Sequence, residues 1–208
     1  MLTVAARVAV VESQLESGAL LCPGCGSRLA PWGFARVRSI RERDGSSRRV
    51  RPRRSRCSRC RVTHVLLPVF CLLRRAYSVA VIGAALAARA RGAGHRSIAV
   101  LVGAPASTVR GWLRRFAGRT EQVRVLLLGL AIGTGVDVAP PGPAGSGIAD
   151  AVAAVGVLFA AAVQRFAGSG LLGAVTGWQV ASAVSHGRLL SPGWAPVDLG
   201  SVRNTSCP

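Results

Sequence analysis

The chain has 208 residues, half of them hydrophobic, and carries 27 basic side chains against 8 acidic ones, a net charge of +19. That length fits one ordinary domain or two small ones, and the apolar half supplies a real core, which excludes a disordered polyelectrolyte. So large a surplus also excludes a cationic partner and points to a polyanion, with nucleic acid ahead of a membrane surface.

All 27 cations are arginine, whose planar fork donates paired hydrogen bonds to phosphate. They are not spread evenly. Residues 1–121 hold 23 of them with five acids, and residues 122–208 hold four with three. The front is polycationic and the rear is nearly neutral and apolar. Arg7 and Glu12 interrupt the apolar start, so no signal peptide is read there. The expected setting is the reducing cytoplasm, in association with the nucleoid, where six cysteines favour metal binding over disulfides.

In chain order, residues 1–20 form a leading segment whose stretch 8–20 has helical apolar spacing. Residues 21–70 follow as a unit framed by cysteine pairs. Cys22-Pro-Gly-Cys25 and Cys57-Ser-Arg-Cys60 are C-x-x-C pairs separated by 31 residues. Each pair can point two thiolates at one ion, so the four predict a closed tetrahedral structural zinc site. Between them the pattern predicts a hairpin, with strands over 33–41 and 48–56 and a turn at Asp44-Gly45. Together these make a zinc ribbon. Arg36 and Arg38, and then Arg49, Arg51 and Arg53, recur at alternate positions, so each set is expected on one strand face as a phosphate-binding strip. Of the remaining cysteines, Cys71 lies in an apolar run and reads as a core thiol, and Cys207 stands near the end. His64, four residues past Cys60, reads as a packing or hydrogen-bonding residue before an alternative ligand.

Residues 74–120 predict a three-helix unit. A first helix covers about 77–91, and 95–115 carry a helix-turn-helix pattern. Ile98, Ala99 and Val102 form the inner face of its first helix, Gly103 suits the turn, and Pro105 suits the next helix start. Val109, Trp112 and Phe116 anchor the second helix in the core. Its outer face offers Ala106, Ser107 and Arg110 to base edges, and Thr108, Arg114 and Arg115 to phosphates, with Arg96 nearby. Residues 121–147 are an apolar segment ending in the linker APPGPAGSG, and 148–208 open with one helix over 148–166 before a region of low order. The uncharged run Ala151–Val163 has 13 residues where a span needs about 20, so membrane insertion is not expected. The fold class is therefore mixed and mainly α: a small β zinc ribbon, a three-helix helix-turn-helix unit and an apolar helical C-terminal region.

The order Cys-Pro-x-Cys, basic hairpin, Cys-x-x-Cys, T-H-V-L-L-P at 63–68, Arg74-Arg75 and helix-turn-helix resembles the N-terminal region of insertion-sequence transposases. It is closer to an actinobacterial zinc-ribbon/helix-turn-helix family. The resemblance covers about 20–118 and implies zinc at Cys22, Cys25, Cys57 and Cys60 and DNA contact through 106–115. The chain departs where such transposases continue into a three-carboxylate catalytic domain. Past position 121 its only acids are Asp137, Asp150 and Asp198, so no enzyme is expected. The expectation is a double-stranded-DNA-binding protein, a transcriptional regulator or transposition accessory, acting as a homodimer. The alternative is an interaction module docking on a transposase or polymerase. RNA binding through Trp32 and Phe34 is a third reading, weakened by so few aromatics.

Overall fold

The computed structural model describes residues 1–168 and 175–191. Its front half is β. Strand β1 (Leu2–Val4) precedes helix α1 (Val8–Glu16), and strands β2 (Leu29–Phe34), β3 (Arg38–Arg41), β4 (Ser47–Val50), β5 (Arg53–Cys57) and β6 (Thr63–Pro68) follow. Four strands pair in the order β1-β6-β5-β2, with β1 parallel to β6 and the other pairs antiparallel. β3 and β4 form a separate antiparallel ladder.

The hairpin expected from the sequence is present, but it is broken. Its turn is at Asp44-Gly45: Gly45 has φ +80°, and its N–H donates to the Glu42 carbonyl at 3.2 Å. The ladder then splits at Pro52, which has no N–H to donate and whose carbonyl accepts from Ala35 at 2.8 Å. The two continuous strands read over 33–41 and 48–56 are therefore two pairs, β3–β4 at the tip and β2–β5 at the base. The leading helix read over 8–20 is also shorter than read: α1 ends at Glu16, just before Gly18 turns left-handed at φ +70°, and the residues ahead of it form β1. β6, the T-H-V-L-L-P stretch, supplies the strand on which β1 and β5 both pair.

The rear half is helical: α2 (Val79–Ala90), α3 (His95–Val102), α4 (Ala106–Ala117), α5 (Thr120–Gly133), α6 (Gly147–Arg165) and α7 (Gly177–Val184). Ser78 caps α2, its hydroxyl accepting from the Val81 N–H at 3.5 Å. α3 stops at Gly103, which is left-handed at φ +62° and ψ 37°, and the chain re-enters helix after Pro105. Val109, Trp112 and Phe116 of α4 are buried, and Trp112 meets Tyr77 edge-on with ring centroids 5.0 Å apart.

Residues beyond 121 do not stand apart from this unit. Val123, Leu127, Ala151, Leu158, Ala181, Leu189 and Leu190 share one continuous core with Leu86, Ile98, Val109 and Phe116. Arginines tie the last described stretch to the earlier helices: Arg75 donates to the Leu190 carbonyl at 3.0 Å and Arg119 to that of Ser191. Among the described residues α6 is the one helix long and apolar enough, by length and composition, to cross a membrane. Here its Ala151, Ala154, Val155, Leu158 and Ala161 face is buried in the shared core. Cys207, Asp198 and most of the low-order region lie outside the described residues.

β and helical halves are clamped together. The Arg41 N–H donates to the Ala76 carbonyl at 2.8 Å, and the Ser78 N–H returns to the Arg41 carbonyl at 2.9 Å. The Arg41 guanidinium also reaches the Tyr77 hydroxyl at 3.1 Å.

Candidate metal centre and basic surface

Two similar loops build the cysteine cluster. In the first, the Gly26 N–H donates to the Cys22 carbonyl at 2.8 Å, and Gly26 sits left-handed at φ +70°. In the second, Arg61 occupies the same place after Cys60 and adopts φ +62°. The residue two past each outer cysteine aims its backbone N–H at that sulfur: Ser27 at Cys25 and Val62 at Cys60. The fold therefore repeats one knuckle twice, once with the glycine that the backbone prefers and once with an arginine.

The four sulfurs all lie within 4.8 Å of one another, with Cys22 and Cys60 at 3.7 Å and Cys25 and Cys57 at 3.4 Å. A disulfide would need about 2.05 Å. Tetrahedral zinc with Zn–S bonds near 2.3 Å puts its sulfurs about 3.8 Å apart. The spacing thus matches ligands around one ion. Cys22 and Cys57 are buried in a small apolar core with Val11, Leu15, Leu29 and Leu66, while Cys60 is exposed. The Ser27 N–H, followed by the Cys57 thiol, lowers the Cys25 thiol to about 6. At Cys60 the Val62 N–H pulls downward, but contact with Cys57, desolvation and contacts with Cys22 and Cys25 outweigh it, and the thiol is pushed up to about 12. Crowded thiols cannot all ionise without a cation between them, and a divalent ion supplies that charge. Among the described residues this is the one group of three or more His, Cys, Asp or Glu side chains arranged to hold a metal.

His64 is buried beside the cluster with Nε2 3.5 Å from Cys22 Sγ, and burial holds its pKa below the usual value. It is placed to donate to that sulfur from outside the four. Cys71 is a fully buried thiol, pushed up to about 12 by desolvation.

The ribbon arginines have diverse surroundings. Arg36, Arg49 and Arg51 are exposed, and Arg38 and Arg53 are half-buried. Arg38 shares a strand face with buried Ile40, whereas Arg49, opposite Ser39, lies on the other face. Arg53 is engaged with Glu12 at 2.9 Å and with the Gly33 carbonyl at 3.1 Å. Their aromatic stacks were not anticipated: Arg51 and Arg53 lie 4.8 and 4.5 Å from the centre of Phe34, Arg56 lies 4.6 Å from that of Trp32, and Arg48 lies 4.5 Å from that of Phe70. For Phe34 and Trp32 the signal was there, in two aromatics two residues apart on a strand paired with an arginine-rich one.

On α4, Ser107, Arg110, Arg114 and Arg115 are exposed and Ala106 and Thr108 are half-buried; Arg96, at the start of α3, is exposed. Arg115 folds back onto the Gly111 carbonyl at 3.1 Å. Ion pairs do little to neutralise this surface, since three are formed among the described residues: Arg48–Glu42, Arg53–Glu12 and Arg124–Glu121.

Residues 22–112 match a protein family described as a domain of unknown function, DUF6431. The match starts on Cys22 and ends on Trp112 within α4, so it takes in the whole cluster and the α3–turn–α4 segment up to its buried tryptophan. It spans under half of the chain. No curated protein and no solved structure matches the sequence.

Proposed function

We propose that the chain is a sequence-selective binder of double-stranded DNA, a transcriptional regulator or transposition accessory, with structural zinc in its four-cysteine centre. The observation that carries this reading is α4: a helix with Val109, Trp112 and Phe116 buried presents Ser107, Arg110 and Arg114 outward, directly after a tight left-handed turn. That is the arrangement by which a recognition helix enters a major groove, its N-terminal residues meeting base edges and its arginines meeting phosphates. Ala106, Ser107 and Arg110 are the base-reading residues. Thr108, Arg114, Arg115 and Arg96 hold the backbone, and Arg36, Arg38, Arg49, Arg51 and Arg53 extend the cationic surface.

Zinc suits the donor set, because four thiolates in a closed tetrahedron are its structural preference and leave no open position for substrate or water. Such an ion holds the fold and does no chemistry, so the activity proposed is binding and not catalysis. Its location is the cytoplasm, on the nucleoid. A single α4 reads few base pairs, so the protein acts as a homodimer; the exposed Val125 and Ile132 of α5, seven residues apart on one helix face, offer an apolar seam.

The test is selection of ligands from a randomised duplex pool by zinc-loaded protein at near-physiological salt, where charge alone does not dominate. Enrichment of one motif supports the reading. The second reading, a module docking on a transposase or polymerase, is favoured by Val100 and Leu101 of α3, 86% and 57% exposed. It predicts no enrichment and capture by an acidic protein surface.

A further inference from the structure

A cavity of about 160 Å³ opens between α1 and the β4–β5 segment. Its floor is apolar, with Val4, Val11, Leu66 and Phe70, and the Phe34 ring forms one wall. Its mouth carries Arg48, Arg49, Arg51 and Arg53. Arg49 and Arg51 form no ion pair among the described residues, while Arg48 and Arg53 pair with Glu42 and Glu12. The volume is that of about five waters at liquid density, far below the roughly 300–1,000 Å³ of sites that enclose drug-sized ligands.

We propose that this cavity receives the base of one unpaired nucleotide against the Phe34–arginine stack, with its phosphates left outside and held by the mouth arginines that form no ion pair, Arg49 and Arg51. Three features select that occupant. The walls are apolar and aromatic, which suits a flat heterocycle. With guanidiniums over the Phe34 ring, 4.5 and 4.8 Å from its centroid, a base can stack on the outer plane of a guanidinium, as bases stack on arginine in single-strand recognition. The rim is cationic, which suits the phosphates on either side of a base and opposes a basic ligand. Glu12, the one acid lining the cavity, is engaged by Arg53 at 2.9 Å, so its charge is already offset. A second stack, Arg56 on Trp32, lies on the same strand pair but beyond the bulge between Pro31 and Phe34, on the opposite face and outside the cavity lining.

This inference shares with the proposed function the premise that the polyanion is a nucleic acid, but it concerns unpaired bases and a different surface from α4. It is tested on the full zinc-loaded chain at near-physiological salt by fluorescence anisotropy. The probes are an oligothymidylate of about eight nucleotides, the same backbone without bases, and a duplex of equal length. The expected result is that removing the bases weakens binding by about tenfold at unchanged charge. Phe34→Ala, at a side chain 44% exposed, is expected to produce a similar loss on the oligothymidylate and less than a twofold change on the duplex. Equal binding of the abasic backbone would overturn the proposal, and that measurement needs no variant. So would an equal loss on single strand and duplex, or displacement by a Glu-Phe repeat peptide at lower concentration than by the oligonucleotide itself. If these fail while duplex selection succeeds, the cavity assignment falls and the reading of α4 stands.

Discussion

Gly83 sits mid-helix in α2 with the indole of Trp178, from α7, lying on its backbone. A Cβ at this position would be 2.4 Å from Cγ and Cδ2 of Trp178 and 2.5 Å from Cδ1. Two opposing terms decide the outcome of Gly83→Ala. Helix propensity favours alanine by about 1 kcal/mol. Against it, carbon atoms need about 3.5 Å, so the half-buried ring, packed against the shared core, must retreat by about 1 Å, and overpacking of that kind costs about 1–3 kcal/mol. A bicyclic ring cannot bend away from the contact, which places the cost in the upper part of that range. The expected net loss is about 1–2 kcal/mol, or a fall in Tm of about 2–8 °C for a chain of this size. Thermal unfolding of the zinc-loaded protein, followed by circular dichroism, measures it. Trp178→Leu in the same background should restore at least half of the loss beyond additivity, because the clash then has no partner. A Gly83→Ala protein that melts higher than the parent would refute the packing of α7 on α2 and with it the shared core.

Arg61→Gly should stabilise the second knuckle by about 0.5–1 kcal/mol, because a left-handed φ of +62° costs an arginine what it does not cost the Gly26 of the first; slower zinc loss to a chelator is the readout, and unchanged loss would contradict it. Cys22, Cys25, Cys57 and Cys60 exchanged singly for serine should each lower bound zinc below one ion per chain by elemental analysis, whereas Cys71→Ser should leave it unchanged and lower Tm. Gly103→Ala should cost about 1–2 kcal/mol through its φ of +62° alone, since no atom lies within 4 Å of the added Cβ; a loss under half a kcal/mol by denaturant titration would argue against that turn.

What the sequence disclosed divides by the range of the interaction. Features encoded within a few residues were legible: the two cysteine knuckles, the Asp44-Gly45 turn, the helix α2, and the buried Val109, Trp112 and Phe116 of α4. Features that need distant partners were not. β1 is three residues long and exists only because it pairs with β6, Leu2 opposite Leu66. β6 itself, T-H-V-L-L-P, shows no clean alternation of polar and apolar residues, although its burial alternates over its first four positions. Pro52 split a hairpin whose arginine alternation suggested one unbroken face. The rear looked like a separate unit because its composition differs from the front. In the structure that same apolarity is what closes the core over α2 and α4. Among the candidate site residues the four cysteines came together; the arginine–aromatic stacks depend on cross-strand pairing that spacing alone does not reveal.

The most direct test of the central claim is to repeat duplex selection with Arg110→Ala. Arg110 is exposed on the outward face of α4, where it can pair bidentately with guanine O6 and N7. The expected result is that one guanine position in the enriched motif loses its preference while the remaining positions keep theirs, with a cost of about 1–3 kcal/mol on that site. A uniform loss of affinity across all sequences, with the motif unchanged, would make Arg110 a phosphate contact and contradict the assignment of α4 as the element that reads DNA.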